Sequence, residues 1–179
     1  MPELLSSEVA YAGYFDVIVD QIRSHRTSHQ IAYSKLNLKA HAVAILARTY
    51  EGKIVATREY RHPIRKWVLG CPGGRIDTGE SPIEAGRREL LEETGYTAET
   101  FSLLGTIYPL PAVTDQQIFY VLADGASLIG PTALEPLELI HPEEKSLAEL
   151  RTLLTSDTPI DGIFCTGLLL LTSFAKNTL

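Results

Sequence analysis

The sequence has few of the residues that would indicate a disulfide framework, a structural zinc site or a membrane span. Its 179 residues include two cysteines, Cys71 and Cys165, whose separation fits neither a metal-binding spacing nor a disulfide pattern. The longest apolar run, near residues 167–174, is shorter than the roughly 20 residues that a membrane-spanning helix needs. The N-terminus lacks the basic and apolar regions of a signal peptide. These absences predict a reduced, cytoplasmic protein with no membrane partner.

The chain also lacks an excess of positive charge. It has 16 Lys and Arg against 22 Asp and Glu, a net charge of −6, which argues against a nucleic-acid partner. Hydrophobic residues make up 45% of the chain and charged residues 21%, so it can bury a core and is not disordered. An acidic protein that binds an anionic ligand needs local cations. The cationic cluster that could supply them comprises Arg58, Arg61, His62, Arg65 and Lys66.

One segment, residues 74–96 (GRIDTGESPIEAGRRELLEETGY), has the signals of a helix with both ends defined. Ser81 is a good N-cap, Pro82 suits the first helical position, and Glu84 completes a capping box. Gly95 is a natural C-terminal stop. The pattern predicts a helix over residues 82–94.

The predicted helix has two different faces. Its apolar stripe comprises Ile83, Gly86 and Leu90, and its acidic face comprises Glu89, Glu92 and Glu93. The first stripe would pack on a sheet, and the second would point its carboxylates outward, where oxygen ligands suit Mg²⁺. A solvated helix with a Glu84–Arg88 ion pair is the simpler alternative. That alternative does not explain why glycine turns precede and follow the helix at fixed offsets.

These residues resemble the Nudix box, G-x5-E-x7-R-E-U-x-E-E-x-G-U, where U is aliphatic. The sequence matches every fixed position except the last, which is Tyr96. The resemblance implies a loop–helix–loop that binds Mg²⁺, with Mn²⁺ as an alternative, and hydrolyses a nucleoside diphosphate linked to another group.

The remaining pattern predicts an α/β protein. We expect paired strands at Tyr14–Ile22 and Gln30–Leu38, and a hairpin around Glu51-Gly52. We also expect a helix from Pro142 to about Leu154 and a final helix capped by Asp161. Strands between helices give a Nudix-type α/β/α sandwich with a mixed sheet and a small N-terminal β extension. The expected division is residues 1–38 for the extension and 39–179 for the Nudix domain.

The chain from Tyr14 to Ala175 is similar to the ADP-ribose pyrophosphatase branch of that family. The similarity rests on four features in order: Glu59-Tyr60-Arg61-His62-Pro63, Pro72-Gly73-Gly74, Pro111, and Ile160-Asp161-Gly162. The chain departs from the branch at Gly70-Cys71 and in the loop Pro111–Gln117, where Gln replaces an acid. Each departure removes a carboxylate near the expected site. The resemblance implies a homodimer in which the N-terminal segments are exchanged.

The resemblance also implies roles for individual residues. Glu89 and Glu93 would be the first metal ligands, Glu92 a third ligand or a support, and the Gly73 carbonyl a ligand from the turn. Catalysis would depend on Glu92 and Glu93. Glu80, Arg88 and Gly74 would support the loop rather than touch metal.

The general base in the resembled branch often comes from a later loop. We expect Glu135 in that role, with Glu138 next, and Asp115 as a further candidate base or a substrate contact. Arg61 would hold a phosphate oxygen, with Arg58 and Trp67 also in the substrate site.

Three functions fit these residues. The first is hydrolysis of ADP-ribose to AMP and ribose 5-phosphate. The second is the same reaction on another nucleotide sugar, such as GDP-mannose or ADP-glucose. The third is a regulator that binds a nucleotide sugar without turnover, which the intact acidic set disfavours.

Overall fold

The structure, a computed structural model, describes residues 1–176, with side chains described as far as Ser173. The chain forms two compact units, one made of Met1–His41 and Tyr108–Gln117 and the other of Ala42–Ile107 and the described residues from Ile118 onward. No helix in the described part of the chain is long and apolar enough to span a membrane.

The first unit is built on a three-stranded antiparallel sheet in the order β1-β2-β3. Its strands are β1 (Glu3–Tyr11), β2 (Asp16–Arg23) and β3 (Gln30–Asn37). The predicted pairing of the second and third strands is confirmed, with Asp16 opposite Asn37 and Arg23 opposite Gln30. The first strand was not predicted, because nearly all of its residues are exposed and it therefore lacks an apolar alternation.

The second unit contains a mixed sheet of eight strands and three helices within residues 42–176. The strands are β4 (Ala42–Thr49), β5 (Ile54–Arg61), β6 (Lys66–Gly70), β7 (Gly73–Arg75), β8 (Tyr96–Thr97), β9 (Thr100–Ile107), β10 (Ile118–Leu128) and β11 (Ile140–Lys145). The helices are α1 (Pro82–Thr94), α2 (Leu147–Leu154) and α3 (Gly162–Lys176). The central order is β11-β5-β4-β10-β8, with β6 beside β5, β7 beside β4 and β9 beside β10.

The sheet of this unit is covered on both faces, which confirms the predicted sandwich. Side chains alternate along β4, so Val43 and Ile45 share one core with Leu90 of α1. Ala44 and Leu46 share the other core, whose helical members include Leu150 of α2 and Phe164, Leu168 and Leu171 of α3. The strand that carries both sets is therefore buried on both sides, and α1 lies opposite the other two helices.

One predicted helix begins in the wrong place. Residues from Pro142 onward continue strand β11, which pairs with β5 so that Pro142 lies opposite Thr57. Proline is tolerated here because β11 lies at the edge of the sheet. The helix begins after Ser146, whose side chain and that of Glu149 form a capping box that the prediction overlooked.

Candidate functional site

Helix α1 begins and ends where the sequence predicts. The Ser81 hydroxyl accepts a hydrogen bond from the Glu84 N–H at 3.3 Å, and the Glu84 carboxylate accepts one from the Ser81 N–H at 2.8 Å. Gly95 adopts a left-handed φ of 73° and donates its N–H to the Leu91 carbonyl. The capping box and the glycine stop therefore fix the length of the helix.

Two glutamates of α1 point inward, contrary to the prediction that they face outward. Glu89 is 9% exposed and Glu93 6% exposed. The Glu93 Oε2 accepts a hydrogen bond from the Gly73 N–H at 2.9 Å, and the Glu89 Oε1 accepts one from Arg88 Nη1 at 2.9 Å. Both carboxylates are therefore partly compensated, as buried charges must be.

Arg88 connects the helix to the preceding loop. It donates from Nε and Nη2 to the two oxygens of Glu80, at 3.0 and 2.9 Å, and from Nη2 to the Arg75 carbonyl at 3.0 Å. Its Nη1 also reaches Glu92 at 3.2 Å. This pairing lowers the pKa of Glu80. The Glu84–Arg88 pair of the simpler alternative does not form, because Glu84 is used by the cap.

Two glycines bring the loop close to the helix. A Cβ on Gly73 would overlap the Val43 carbonyl, and a Cβ on Gly74 would overlap the Glu89 carboxylate. Both residues lie in β7, with Gly73 opposite Ala44 and Gly74 opposite Val43. The Glu89 carboxylate can therefore rest on the backbone only where no side chain intervenes.

We expect Gly74→Ala to displace the Glu89 carboxylate and to lower activity by about 10- to 100-fold, the range seen when groups that orient ligands are removed. Steady-state kinetics at saturating metal would measure the loss. Gly79→Ala is the control, because nothing lies within 4 Å of a Cβ there; its φ of 87° costs stability instead. Unchanged kinetics in Gly74→Ala would mean that Glu89 has no part in the reaction.

One cavity of about 180 Å³ collects these groups. It is lined by Arg88, Glu89, Glu92, Glu93, Ala133, Leu134, Glu135 and Glu138. The Ala133 N–H donates to the Glu92 carbonyl at 2.7 Å, which holds the later loop against the helix. Glu138 is oriented by the Glu135 N–H, which donates to its carboxylate at 2.8 Å. Five carboxylates thus meet one guanidinium.

The charge balance of the cavity favours a cation. Burial is the main reason that the pKa of Glu93 is raised to about 8; the Gly73 N–H opposes the rise, and the charges of Glu89, Glu59 and Glu138 contribute to it. Burial likewise raises the pKa of Glu89, against the pull of Arg88. An excess of carboxylate oxygens is the donor set that hard divalent cations prefer.

The carboxylates do not yet converge as a ligand set. Among the described residues, no three His, Cys, Asp or Glu side chains are arranged to hold a metal ion. The reason is visible in the contacts, since Arg88 engages Glu89 and Glu92 while the Gly73 N–H engages Glu93. An ion bound here would compete with these donors. A role of the Gly73 carbonyl as a ligand stays a prediction.

The predicted substrate residues lie in different places. Arg61 and Glu59 share one face of β5, and Arg58 points to the other face, where it pairs with Glu143 at 2.9 Å. Trp67 lies opposite Tyr60 in the strand pairing and stacks on His141 with ring centroids 5.0 Å apart. By alternation, Trp67 and Arg58 thus face away from Glu59 and Arg61.

Asp115 belongs to the first unit. There it lines a cavity of about 350 Å³ together with Tyr33 and Tyr108.

The sequence prediction did not include Glu59 or Asp161 as site residues, although both carboxylates approach Arg61. The two-residue spacing of Glu59 and Arg61 on a strand was the available signal for the first of them.

Comparisons with known proteins agree on one family. The profile of the NUDIX domain matches residues 38–158. The chain is 33% identical over 132 residues to the ADP-ribose pyrophosphatase of Bacillus subtilis (strain 168), a match that covers 72% of this chain and 71% of that protein. It is 32% identical over 130 residues to the ADP-ribose pyrophosphatase of Mycobacterium tuberculosis, a match that covers 72% of this chain and 62% of that protein.

Two further similarities are informative. The chain is 38% identical over 96 residues to the methanol dehydrogenase activator of Bacillus methanolicus, spanning about half of each protein (52%). The crystal structure of an ADP compounds hydrolase superposes with a TM-score of 0.88 at 24% identity, covering 99% of this chain and 95% of the other. At that identity the superposition establishes the fold.

Proposed function

The chain belongs to the Nudix family of hydrolases, and from that premise we propose that it cleaves the diphosphate linkage of ADP-ribose or a related nucleoside diphosphate sugar. The products would be a nucleoside monophosphate and a sugar phosphate. Relatives named as ADP-ribose pyrophosphatases at 33% and 32% identity support this substrate class.

The observation that carries the proposal is the cavity beside α1. It joins the acidic face of the helix to Glu135 and Glu138 of a loop about 40 residues later. A solvated helix would not bury Glu89 and Glu93 or place further carboxylates opposite them. Such concentrated negative charge is useful when a cation and an anionic substrate meet between the groups.

Nudix hydrolases generally use a divalent metal, and we propose Mg²⁺ here, with Mn²⁺ as the alternative. Glu89, Glu92 and Glu93 would hold it, with the Gly73 carbonyl as a further ligand. A bound divalent cation supplies neutralisation of the diphosphate and of the leaving phosphate. Glu80 and Arg88 would keep the helix and the loop in place, as supporting contacts do in metal sites.

The residues of the chain would bind the diphosphate and activate water. Arg61 would donate to a phosphate oxygen, which its planar guanidinium suits. Between the candidate bases we place Glu138 before Glu135, reversing the order expected from the sequence. Glu138 lines the same cavity as Glu89 and Glu93, and its charge contributes to the raised pKa of Glu59, Glu89 and Glu93. A base must be within hydrogen-bond reach of the attacking water.

A regulator without turnover is the second candidate, because one relative is named as an activator of methanol dehydrogenase. The intact box residues, of which Arg88, Glu89, Glu92 and Glu93 line one cavity, favour the enzyme, since a protein that only binds the nucleotide does not need them. GDP-mannose and ADP-glucose remain alternatives to ADP-ribose as substrates.

The assembly and location are also proposals. A homodimer through the N-terminal segment is supported by large apolar side chains exposed on its strands, among them Leu4, Val9 and Ile31. The free cysteines are consistent with a reducing, cytoplasmic location.

A substrate panel tests the proposed function. We expect Mg²⁺-dependent turnover of at least one of ADP-ribose, GDP-mannose, ADP-glucose and UDP-glucose, with mass spectrometry identifying a nucleoside monophosphate and a sugar phosphate. Dinucleoside polyphosphates serve as the comparison set. Tight binding of ADP-ribose by calorimetry without cleavage of any compound would favour the regulator.

A further inference from the structure

Arg61 has two carboxylate partners that approach different nitrogens of its guanidinium. Nη1 lies 2.5 Å from Glu59 Oε1, and Nη2 lies 3.9 Å from Asp161 Oδ2. Glu59 is two residues away on the same strand face, whereas Asp161 comes from the segment before α3. The guanidinium therefore has a hydrogen-bonded carboxylate on its own strand and a second, more distant carboxylate from a separate element.

The burial of the three side chains is unequal. The Arg61 side chain is 49% exposed, but those of Glu59 and Asp161 are 22% and 25% exposed. The two carboxylates are thus more buried than the guanidinium, about half of which is exposed to solvent. Arginine has five N–H donors in a fixed fork, so donors remain for a ligand that approaches from the solvent side.

Asp161 is itself firmly placed. Its N–H donates to the Leu69 carbonyl at 2.8 Å, and its carbonyl accepts from the Cys165 N–H at 3.1 Å. Its Oδ1 accepts from the Ile163 N–H at 2.7 Å, which caps α3. The backbone of Asp161 is thus anchored to β6, and its carboxylate caps α3 and approaches Arg61.

Without Arg61, the ionised carboxylate of Glu59 would be in an unfavourable electrostatic environment. Burial raises its pKa, the Arg61 charge opposes that rise, and the charges of Glu138 and Asp161 add to it. A carboxylate among other carboxylates requires a cation nearby, and Arg61 supplies it.

Resting on the proposed function, in which Arg61 binds a substrate phosphate, we propose that Glu59 and Asp161 are positioning residues. They hold the guanidinium so that its free N–H groups face the diphosphate. This arrangement has an electrostatic cost, because two carboxylates weaken the attraction of Arg61 for an anion. If the carboxylates position Arg61, removing one should raise KM. If they only neutralise its charge, removing one should lower KM.

Substitutions at both carboxylates test the proposal. We expect Glu59→Ala and Asp161→Asn to raise KM for the best substrate by about 10-fold with little change in kcat, as loss of uniform binding does. Glu59→Gln keeps an acceptor for Arg61 and should recover most of the loss. In Asp161→Asn the amide oxygen would stay on the Ile163 N–H, so the amide nitrogen would replace the oxygen that faces Arg61. Asparagine is as good an N-cap as aspartate, so the thermal midpoint of this variant should match the wild type. A fall in KM in Glu59→Ala would mean that the carboxylates only neutralise Arg61, and would overturn the proposal.

The Arg61→Ala background separates positioning from other effects. In that background, Glu59→Ala and Asp161→Asn should change KM by less than about 2-fold, because the guanidinium that the two carboxylates position is absent. Equal effects in both backgrounds would overturn the proposal and leave the proposed function intact. A normal KM in Arg61→Ala with turnover retained would overturn it as well. A wild-type chain that cleaves no nucleotide sugar would instead overturn the proposed function, and the positioning role with it.

Discussion

Glu93→Gln is expected to lower kcat for the best nucleotide sugar by at least about 10³-fold, equivalent to about 4 kcal/mol of lost transition-state stabilisation. Glu93 is the most deeply buried carboxylate of the cavity and is held by the Gly73 N–H. Glutamine keeps the shape and an acceptor but removes the negative charge that would bind metal. Initial rates across a range of Mg²⁺ concentrations would measure the effect.

The same variant should be more stable than the wild type when metal is absent and the pH is high. The folded-state pKa of Glu93 is about 8, above its ordinary value of 4.5, because burial disfavours the ionised form. Protonated Glu93 therefore contributes to the free energy of unfolding. This contribution is fully present below about pH 4.5 and is lost as the pH rises through 8. Ionisation of Glu93 then costs the wild type on the order of a few kcal/mol, a cost that glutamine avoids.

Chelator-treated protein allows this comparison. Thermal midpoints should agree at about pH 5, and Glu93→Gln should melt several degrees higher at pH 8.5, given roughly 2–4 °C per kcal/mol for a chain of this size. Mg²⁺ should raise the midpoint of the wild type only, because binding to the folded state stabilises it.

Glu84→Gln is the matched control, since it lies on the same helix away from the cavity and glutamine still completes the capping box. Full activity in Glu93→Gln would remove its assignment as a ligand. A stability difference that did not vary with pH would contradict the ionisation argument.

Arg88→Ala should destabilise the protein and reduce activity together. The side chain holds Glu80 with two hydrogen bonds and also reaches Arg75, Glu89 and Glu92. Its removal would leave partly buried carboxylates without their cation. Fully buried pairs lose about 3–5 kcal/mol in such cases, and the 30% exposure of Arg88 reduces the expected loss to about 2–3 kcal/mol.

Urea denaturation would measure that loss, and kinetics at a temperature where the variant is folded should show about a 10- to 100-fold fall in activity. Arg88→Lys should be intermediate, because an ammonium group cannot pair with Glu80 in the same two-point geometry. Arg87→Ala is the control: its guanidinium lies 4.1 Å from the Phe101 ring centroid and has no part in the cavity. Equal losses of stability and activity in Arg87→Ala and Arg88→Ala would show that the hydrogen bonds and ion pairs of Arg88 have no specific role.

Local rules were sufficient for α1 because its ends depend on neighbouring residues. Ser81, Pro82, Glu84 and Gly95 act within a few positions of one another, and the helix observed is the helix predicted. The same rules failed at Pro142, where pairing with β5 outweighed a helix-start pattern. They also missed β1, because pairing with β2 needs no apolar alternation when both faces are exposed.

The sequence by itself determined the family, the acidic helix and the order of its functional groups, because these depend on residue type and spacing along the chain. Only the tertiary structure decided which carboxylates are buried, that Arg88 takes Glu80 rather than Glu84, and that Glu135 and Glu138 meet the helix across one cavity. It also brought Asp161 to Arg61 over a separation of 100 residues. The physical reason is that burial and long-range pairing depend on how strands and helices pack, which no local spacing specifies.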